Sequence, residues 1–504
     1  MPYRVIYNQD CTNLFAITKE PLEPHHVDRM VDEVADGGAD VFLVNTQSQR
    51  VNYPGKAWQT FWDGYVPGDR TFFGPVSDAE VAGREQWVVQ MKRLADQGCN
   101  YLARALARCR QKGIVPGITI RMNDMHDAPT PGTHLFSRFY MEHPELHLHN
   151  DGFCGWSATG LNYECREVRA YYLALIRELV CDYDGDVLEL DFLRFHCCFP
   201  RNDFAGHCAI MTGFIREVRA LLDAAGRRIA LLARVAATPA AAYELGFDVA
   251  TWAREGLVDG ISAGAFLNTQ WQIPVDEYRA LVGESVAVYA CMDYTADRRP
   301  GLPVRTMSTE PLFLRGFAAG HQAAGADGVE LFNFFCAREA GWEPTPKEPT
   351  FATLRELRSL DSLRGSEKVY TVTSGWAVGE VDGAFQVPVT LAYGQPRQFV
   401  MNLAAEPAGS VCEVELACES GAGVDAGQLW LQVNDRPAGP ASYVTPSRQP
   451  APDVGAVRTS FTAFFVFPPD VLRDGRNVLS IRNEGQALTV LSVDVRVGPK
   501  TSPK

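Results

Sequence analysis

The chain of 504 residues is 46% hydrophobic and 21% charged, and its formal net charge at pH 7 is −14. This composition is typical of a globular protein long enough for two domains, and the negative charge argues against nucleic acids and anionic membranes as partners. The sequence has no apolar run long enough to span a bilayer and starts without the basic and apolar regions of a signal peptide. Thirteen scattered cysteines indicate reduced core thiols, so we expect a cytoplasmic protein.

Strand and helix patterns alternate through the first 360 residues. The predicted strands are Val5–Asp10, Val41–Thr46, Ile114–Asn123, Val187–Phe195, Ile229–Val235, Asp259–Ala265, Ser285–Asp293 and Val329–Phe334. The predicted helices are His26–Ala35, Ala79–Gln111, Arg166–Val180, Ala209–Ala225, Ala241–Glu255 and Pro311–Ala324. Eight such strands predict a (β/α)8 barrel over residues 1–363, with aromatic insertions at about 47–78 and 127–163.

Residues 364–504 have a different pattern, with short β-like runs separated by turns rich in Gly, Pro, Asn and Asp. They predict an all-β, jelly-roll-like sandwich domain. The phrase Asp474–Asn483 resembles the penultimate strands of galactose-binding-type jelly-roll domains. That resemblance implies either a sugar-binding or a supporting role, and we favour the supporting one.

The stretch from Asp182 to His196 carries the strongest functional signal. Its apolar part is typical of a buried parallel strand, yet it contains Glu189, Asp191 and Arg194, groups that do not enter an apolar core unpaired. Residues two apart share a strand face, so both carboxylates leave on the same side. They predict a catalytic pair; the alternative is a buried ion pair with Arg194 or another arginine.

Polar residues also stand at or near the C-terminal ends of the other predicted strands, where (β/α)8 barrels form their active sites. The full set is Asn8, Asp10, Asn45, Arg121, Asn123, Asp124, His126, Asp191, Arg194, His196, Arg234, Asp293, Glu330 and Asn333. Any one of these side chains can be explained by a core hydrogen bond. Their convergence on one face predicts a substrate-binding site.

Cleavage of a glycosidic bond needs two carboxyl groups, one to protonate the leaving oxygen and one as nucleophile or base. Asp191 is the first candidate, and Asp293 is the favoured partner because it ends its strand at a similar depth. Glu330 is comparable in depth to Glu189 and is the less favoured partner. The sequence contains no P-loop, no dinucleotide-binding fingerprint, no HExxH zinc motif and no nucleophile-elbow motif.

Basic and imidazole groups complete the predicted site. Arg121 and Arg234 are expected to keep a carboxylate ionised or to bind an acidic sugar or a sulfate group. His126 and His196 are candidates for assisting proton transfer, with a hydrogen-bonded bystander role as the alternative. Cys197 follows His196, but no second Cys/His cluster at zinc spacing accompanies them, so we expect no metal and no cofactor.

Aromatic side chains in the two insertions lie on the barrel face that carries the acids. Trp58, Trp62, Tyr65 and Trp156 offer flat apolar rings with polar edges, which suit the faces of sugars. The alternative is that these rings pack a lid or a subunit interface. The sequence leaves the two roles equally open.

The residues around strand four resemble bacterial glycoside-hydrolase-like barrel proteins, many of which have no assigned activity. The similar phrases are Glu164–Val180, Tyr183–Phe195, His143–Leu146 and Asp327–Phe334. The resemblance spans residues 1–340, is sharp over about thirty of them, and implies a glycosidase-type barrel with Asp191 at its centre. The spacing of Asp184, Glu189 and Asp191 also resembles chitinase-type barrels, but Glu and Asp are exchanged, which argues against a chitinase-like mechanism.

The sequence therefore predicts a glycoside hydrolase, or a close relative, that cleaves a small or oligomeric saccharide. Two alternatives remain open. One is a non-catalytic carbohydrate-binding barrel whose acids are structural, and the other is a barrel lyase or isomerase that uses His126 or His196 as base. The long insertions also leave room for a homo-oligomer in which one subunit completes its neighbour's site.

Overall fold

Eight parallel strands close into a barrel in the computed structural model, in the order β1-β10-β7-β6-β5-β4-β3-β2. The structure describes residues 3–128, 130, 132–149, 159–266, 268–293, 296–297, 305–306, 309–334, 351–373, 385–421, 423–446 and 459–499. The barrel strands are β1 (Val5–Gln9), β2 (Val41–Asn45), β3 (Val115–Arg121), β4 (Val187–Asp191), β5 (Ala230–Ala236), β6 (Gly260–Gly264), β7 (Ala287–Met292) and β10 (Gly328–Phe332). The ribbon β8 (Ala296–Asp297) and β9 (Arg305–Thr306) lies between β7 and β10 in the sequence. The predicted (β/α)8 barrel is confirmed.

Helices follow the barrel strands in the chain. They are α1 (Asn13–Ile17), α2 (Pro24–Gly37), α3 (Asp78–Asp96), α4 (Tyr101–Lys112), α5 (Arg138–Glu142), α6 (Arg166–Asp182), α7 (Phe204–Asp223), α8 (Pro239–Glu244), α9 (Val249–Arg254), α10 (Val275–Val282), α11 (Pro311–Ala323) and α12 (Leu360–Leu363). Short 3₁₀ helices cover Arg70–Phe73, Pro144–Leu146, Phe351–Arg358, Ala426–Gln428 and Pro469–Val471. None of the helices in the described ranges is both long and apolar enough to cross a membrane.

Two predicted helices are each a pair of helices. The stretch 79–111 is broken at Gly98, whose φ of 73° ends α3, and Asn100 caps α4 by accepting the N–H of Ala103. The stretch 241–255 is broken at Gly246, whose φ is 89°. The helix α10 was not predicted at all. The apolar periodicity continues across the two breaks and so does not reveal them, and in α10 it is too short to indicate a helix.

Strand β4 ends at Asp191 rather than at Phe195 as predicted. The Asp191 carboxylate accepts the backbone N–H groups of Leu193 and Arg194, and these bonds turn the chain away from the sheet. Phe195 then has a φ of 65°. The apolar pattern continues past the strand because this turn is itself buried.

The barrel interior changes from apolar to charged toward the C-terminal ends of the strands. An apolar cluster fills the other end, and its buried members are Ile6, Val41, Leu43, Val187, Leu232 and Tyr289. Asn8, Glu189 and Arg234 lie on the same strand faces, each two residues after a member of this cluster. Asp191 lies two residues after Glu189 on β4. The fold therefore places the predicted acids inside the barrel, above an apolar base.

Two antiparallel sheets follow the barrel and form a sandwich-like region. One has the order β11-β20-β14-β18-β17 with β12 also on β20, and the other has the order β13-β19-β15-β16. Their strands are β11 (Lys368–Thr373), β12 (Val389–Leu391), β13 (Pro396–Leu403), β14 (Ser410–Ser420), β15 (Leu429–Val433), β16 (Arg436–Pro440), β17 (Tyr443–Pro446), β18 (Thr459–Phe467), β19 (Gly475–Asn483) and β20 (Leu488–Pro499). The predicted all-β region is confirmed, whereas its boundary at residues 363 and 364 stays a prediction.

Helix α11 joins the barrel to the sheets by close backbone contact. A Cβ atom on Gly316 would overlap the carbonyl oxygen of Val369, and one on Gly320 would overlap that of Asn402. Beside this contact, the Asn402 side chain donates to the carbonyl oxygen of Ile273 at 2.8 Å. The sheets are therefore packed directly against the last barrel helix.

Candidate active site

Asp191 stands at the C-terminal end of β4 with two unequal oxygens. Its Oδ1 accepts the N–H groups of Leu193 at 2.9 Å and Arg194 at 3.0 Å, and Nη1 of Arg234 at 2.9 Å. Its Oδ2 is buried and has no hydrogen-bond partner among the described residues. Three donors thus fix the orientation of the carboxylate and leave one oxygen available for a substrate atom or a water molecule.

Arg234 on β5 links Asp191 to Asp293, the residue that follows β7. Its Nη2 lies 3.4 Å from Asp293 Oδ2, and its guanidinium carbon lies 3.8 Å from the centre of the Phe332 ring. Burial alone would lower the pKa of Arg234, but Asp191, Cys291 and Asp293 raise it well above its usual value. The guanidinium is therefore a permanent positive charge between two acids.

Asp293 differs from Asp191 because both of its oxygens have partners. Oδ2 faces Arg234, and Oδ1 accepts Nδ2 of Asn333 at 2.9 Å. Asn333 has a φ of 56°, which is a left-handed conformation that asparagine tolerates better than most residues. The structure thus brings Asp191, Arg234, Asp293 and Asn333 together as the sequence predicted.

Glu189 and Glu330 form a second pair, one layer deeper in the barrel than Asp191. The Asn8 amide donates to Oε1 of Glu189 at 2.8 Å and to Oε1 of Glu330 at 3.0 Å, and Thr119 donates to Glu189 Oε1 at 2.7 Å. Burial, followed by the negative charges of Glu330 and Asp191, raises the pKa of Glu189 well above its usual value. The protonated form of Glu189 is therefore favoured.

Arg121 on β3 is a second buried arginine that pairs with two acids. Its guanidinium contacts Asp10 and, at 3.0 Å, Asp124. Burial and the positive charge of Arg194 lower the pKa of Arg121 to about 10, so it stays charged at neutral pH. The donors of Arg121, like those of Arg234, are thus directed mainly at acids of the chain itself.

His126 lies between Asp124 and Arg194. Its Nδ1 is 2.7 Å from Asp124 Oδ1, and its Nε2 is 3.1 Å from Nη2 of Arg194. Burial lowers the pKa of His126, Asp124 raises it, and the two arginine charges nearby lower it, with a net decrease. The neutral tautomer that donates from Nδ1 and accepts at Nε2 satisfies both contacts.

Arg194 is buried, with 8% of its surface exposed. Its Nη2 contacts His126, whereas Nε and Nη1 have no hydrogen-bond partner among the described residues. Phe195, Phe266 and Phe332 surround the guanidinium, with ring centres 5.8 to 6.0 Å from its central carbon. Arg194 thus has buried hydrogen-bond donors that no described residue accepts.

Three further predicted site residues have local partners. Asn123 donates to the carbonyl oxygens of Leu161 and Cys197, so it holds two loops together. Asn45 accepts the N–H of Gln47 with Oδ1, and its Nδ2 has no partner within the described ranges. The third is His196, which is completely buried, and burial chiefly lowers its pKa to about 3.

The aromatic residues of the insertions divide into three cases. The Trp58 ring is 5% exposed, stacks on Tyr171 at 4.2 Å, and donates Nε1 to the Tyr171 carbonyl oxygen at 3.1 Å. These contacts give Trp58 a packing role against helix α6. Trp62 is partly buried against the same core and remains a predicted sugar contact. Trp156 lies outside the described residues.

Thr119 and Phe332 belong to the site although the sequence assigned them no role, whereas Asn8 was among the predicted strand-end residues. Thr119 stands two residues before Arg121 on one strand face, so its inward direction was open to prediction from the strand period. Phe332 has no such polar signal, because its contact is with the face of Arg234. In the part of the chain that the structure describes, no group of three or more His, Cys, Asp or Glu side chains is placed to hold a metal ion.

No protein-family model and no curated protein sequence matches this chain. Among solved structures, α-L-fucosidase isoenzyme 2 from Paenibacillus thiaminolyticus is similar over 70% of this chain at 10% identity and a TM-score of 0.44, and this chain spans 48% of that protein. The PgaB (BpsB) glycoside hydrolase domain from Bordetella bronchiseptica is similar over 71% of this chain and 99% of its own length, at 11% identity and a TM-score of 0.42. The homocysteine methyltransferase MmuM from Escherichia coli matches 71% of this chain and 97% of its own, at 13% identity and a TM-score of 0.33.

Two of these three similar structures are glycoside hydrolases by name and the third is a methyltransferase. One barrel architecture serves many unrelated reactions, and TM-scores below 0.5 carry neither an activity nor a residue role to this chain. The side chains at the barrel's C-terminal end are therefore the basis for assigning a function.

Proposed function

We propose that this chain hydrolyses a glycosidic bond in a small or oligomeric saccharide, with Asp191 as the reacting carboxylate. The observation that carries the proposal is the asymmetry of Asp191, whose Oδ1 accepts three donors while Oδ2 is unpartnered among the described residues. A carboxylate fixed by one oxygen and open at the other suits a nucleophile or a base that must meet one substrate atom in a set direction.

The proposed reaction also needs a carboxylic acid that gives a proton to the leaving oxygen. Glu189 favours its protonated form because burial and two neighbouring acids raise its pKa. Its pair with Glu330 lies one layer below Asp191, so this pair is our first choice for the proton source. Asp293 is the second choice, because its two oxygens already face Arg234 and Asn333.

Arg234 supports a second candidate, a carbohydrate-binding barrel without catalytic activity. The same guanidinium contacts both Asp191 and Asp293, and all three side chains are almost completely buried. Acids tied to one arginine are also expected where the charges serve only to hold the barrel together. In that case the barrel would bind a saccharide and leave it intact.

Turnover of a panel of aryl glycosides and oligosaccharides distinguishes the two candidates. We expect wild type to cleave at least one substrate, the folded Asp191→Asn protein to lose at least ~10³-fold in rate, and Asp293→Asn to lose less. Asp276→Asn changes an exposed acid on α10 in the same way and is the matched control. Saccharide binding by calorimetry without turnover in any member of the panel would favour the binding barrel.

Location and assembly are also part of the proposal. A cytoplasmic protein accords with the cysteines of the described residues, which are all free thiols. Thiol counting by mass spectrometry under non-reducing conditions tests this point, and light scattering tests self-association. The expected partner is a carbohydrate, and we expect a subunit of the same chain if the particle exceeds 55.6 kDa.

A further inference from the structure

We infer that Arg194 binds an oxyanion group of the substrate, a carboxylate or a sulfate, so that the saccharide is an anionic sugar. The inference rests on the proposed function, because it names the substrate class of the same site. It assigns the anion to a residue other than Arg121 and Arg234, the two arginines to which the sequence pointed.

Three buried arginines among the described residues of the barrel end differ in their ionic partners. Arg234 contacts Asp191 and Asp293, and Arg121 contacts Asp10 and Asp124. No ion pair joins Arg194 to any acid of the described chain, although only 8% of its surface is exposed. A buried charge without a counter-charge is costly, and an anionic ligand would supply the missing partner.

The guanidinium of Arg194 still has an edge for two-point binding. Arginine has five N–H donors, arranged so that Nε and Nη2 form one fork and Nη1 and Nη2 form another. His126 occupies one Nη2 hydrogen at most, while Nε and Nη1 have no partner in the described ranges. Whichever Nη2 hydrogen faces His126, the other fork remains complete, and its geometry matches two oxygens of a carboxylate or a sulfate.

The surroundings of Arg194 orient the group without neutralising it. His126 gives a hydrogen bond from Nδ1 to Asp124 and accepts one from Arg194 at Nε2, so its neutral form positions the guanidinium. Phe195 and Phe266 line the sides of the cation and provide no hydrogen-bond acceptor. The full positive charge and at least two donors therefore remain for a ligand.

Arg194 and Asp191 belong to one turn, which couples the anion site to the proposed reaction. The backbone N–H of Arg194 donates to Asp191 Oδ1 at 3.0 Å. An anionic group held by the Arg194 side chain would orient the sugar ring relative to the carboxylate three residues earlier. The charged side chain of Arg194 would thus serve to position the substrate beside the proposed reacting group.

Isothermal titration calorimetry on the full chain tests the inference with matched sugars. The probes are the methyl glycosides of glucuronic and galacturonic acid, those of glucose and galactose, and the 6-sulfates of the latter two. We expect at least one anionic probe to bind wild type ~10-fold or more tightly than its neutral parent, as charge-assisted two-point hydrogen bonds allow. Preference for the acid over the sulfate, or the reverse, identifies the oxyanion.

Variants at position 194 connect any preference to the guanidinium. Arg194→Gln removes the charge and should abolish the preference, so that each anionic probe binds no more tightly than its neutral parent. Arg194→Lys keeps the charge but loses the fork, so a preference reduced several-fold is expected. Arg216→Gln removes an exposed arginine that pairs with Glu255 on the outside of the barrel, and it should leave the preference unchanged.

The outcomes separate this inference from the proposed hydrolysis. An anion preference that depends on Arg194, without cleavage of any glycoside, supports the inference and contradicts the proposed activity. Cleavage of neutral substrates without an anion preference contradicts the inference and leaves the activity in place. Equal or absent binding of all probes, or an unchanged preference in folded Arg194→Lys, would overturn the inference.

Discussion

Asp191 on β4 and Arg234 on β5 stand directly opposite each other in the strand register, and their carboxylate and guanidinium meet at 2.9 Å. Arg234 also contacts Asp293, so one cation balances acids that come from two different strands. This arrangement fixes one oxygen of Asp191 and leaves the other without a partner in the described chain. The proposed chemistry depends on that oxygen, and the stability of the barrel depends on the ion pair.

Replacement of Arg234 by methionine should strongly destabilise the fold. Methionine retains much of the volume that packs against Phe332 but leaves Asp191 and Asp293 buried without a counter-charge, at a cost of about 3–5 kcal/mol in the free energy of unfolding. Urea unfolding followed by circular dichroism measures this loss. Arg216→Gln, in which an exposed ion pair is broken, should change the same quantity by about 0–1 kcal/mol. Equal effects of the two substitutions would show that the buried pair has no special importance.

Glu189→Gln should become more stabilising as the pH rises. The folded-state pKa of Glu189 is raised above the value of 4.5 expected in the unfolded chain, so the folded state prefers the protonated side chain. Its stability contribution is complete below pH 4.5 and is lost as the pH rises toward the folded-state pKa. Glutamine is a neutral analogue of the protonated acid and removes this dependence.

Chemical unfolding of both proteins between pH 4 and pH 9 tests that expectation. The difference in free energy between Glu189→Gln and wild type should be small at the acidic end and should increase toward the alkaline end. Glu217→Gln, on the exposed side of α7, controls for the loss of one carboxylate. A constant difference across the range would mean that Glu189 is ionised in the folded protein.

His321 should make the junction between the barrel and the sheets sensitive to acid. Burial lowers its pKa from 6.5 to about 4, and its neutral ring contacts the Phe317 carbonyl oxygen with Nδ1 and accepts the Ile273 N–H with Nε2. The stability that it contributes is complete above pH 6.5 and decreases as the pH falls toward 4, by at most about 1.4 kcal/mol per pH unit.

The substitution His321→Gln should flatten the acid limb of the stability curve between those two pH values. Unfolding free energies at intervals across the range measure the slope, and His25→Gln provides an exposed histidine as control. A slope that is the same in His321→Gln and wild type would mean that His321 does not titrate on unfolding in this range.

Two glycine-to-alanine substitutions on helices should have opposite signs. At Gly316 on α11 an added Cβ would overlap the Val369 carbonyl oxygen, so we expect a loss of about 1–3 kcal/mol as the sheet moves away. At Gly213 on α7 a Cβ meets nothing within 4 Å, and alanine should stabilise the helix by up to about 1 kcal/mol. Thermal unfolding of the pair measures both effects, and equal losses would contradict the close contact between α11 and β11.

Much of the barrel, and the positions of its acids, could be predicted from the local sequence pattern. The two-residue spacing of Glu189 and Asp191 predicted that both leave the strand on the same face, because the side-chain period of a strand is two. The end of β4 could not be predicted from the sequence, because the turn is made by the Asp191 side chain and lies in buried apolar sequence. The ionic partner of Asp191 could not be predicted either, since its contact with Arg234 depends on the register of the neighbouring strands.

The aromatic insertion illustrates a different limit. Trp58 is of a residue type that often contacts sugars, yet its ring stacks on Tyr171 of a helix that lies more than a hundred residues later in the chain. Composition cannot distinguish a ring that faces solvent from a ring that covers a helix, because both need a large flat apolar surface. The same holds for Arg194, because only the positions of the described neighbours show that two of its nitrogens lack an acceptor.

The most direct test of the proposed function is the kcat/KM of wild type, Asp191→Asn and Asp276→Asn on the best substrate of the glycoside panel, with folding verified by circular dichroism. We expect the kcat/KM values of wild type and Asp276→Asn to be equal within about twofold, and that of Asp191→Asn to be reduced by at least ~10³-fold. A folded Asp191→Asn protein with near wild-type turnover would contradict the central role of Asp191.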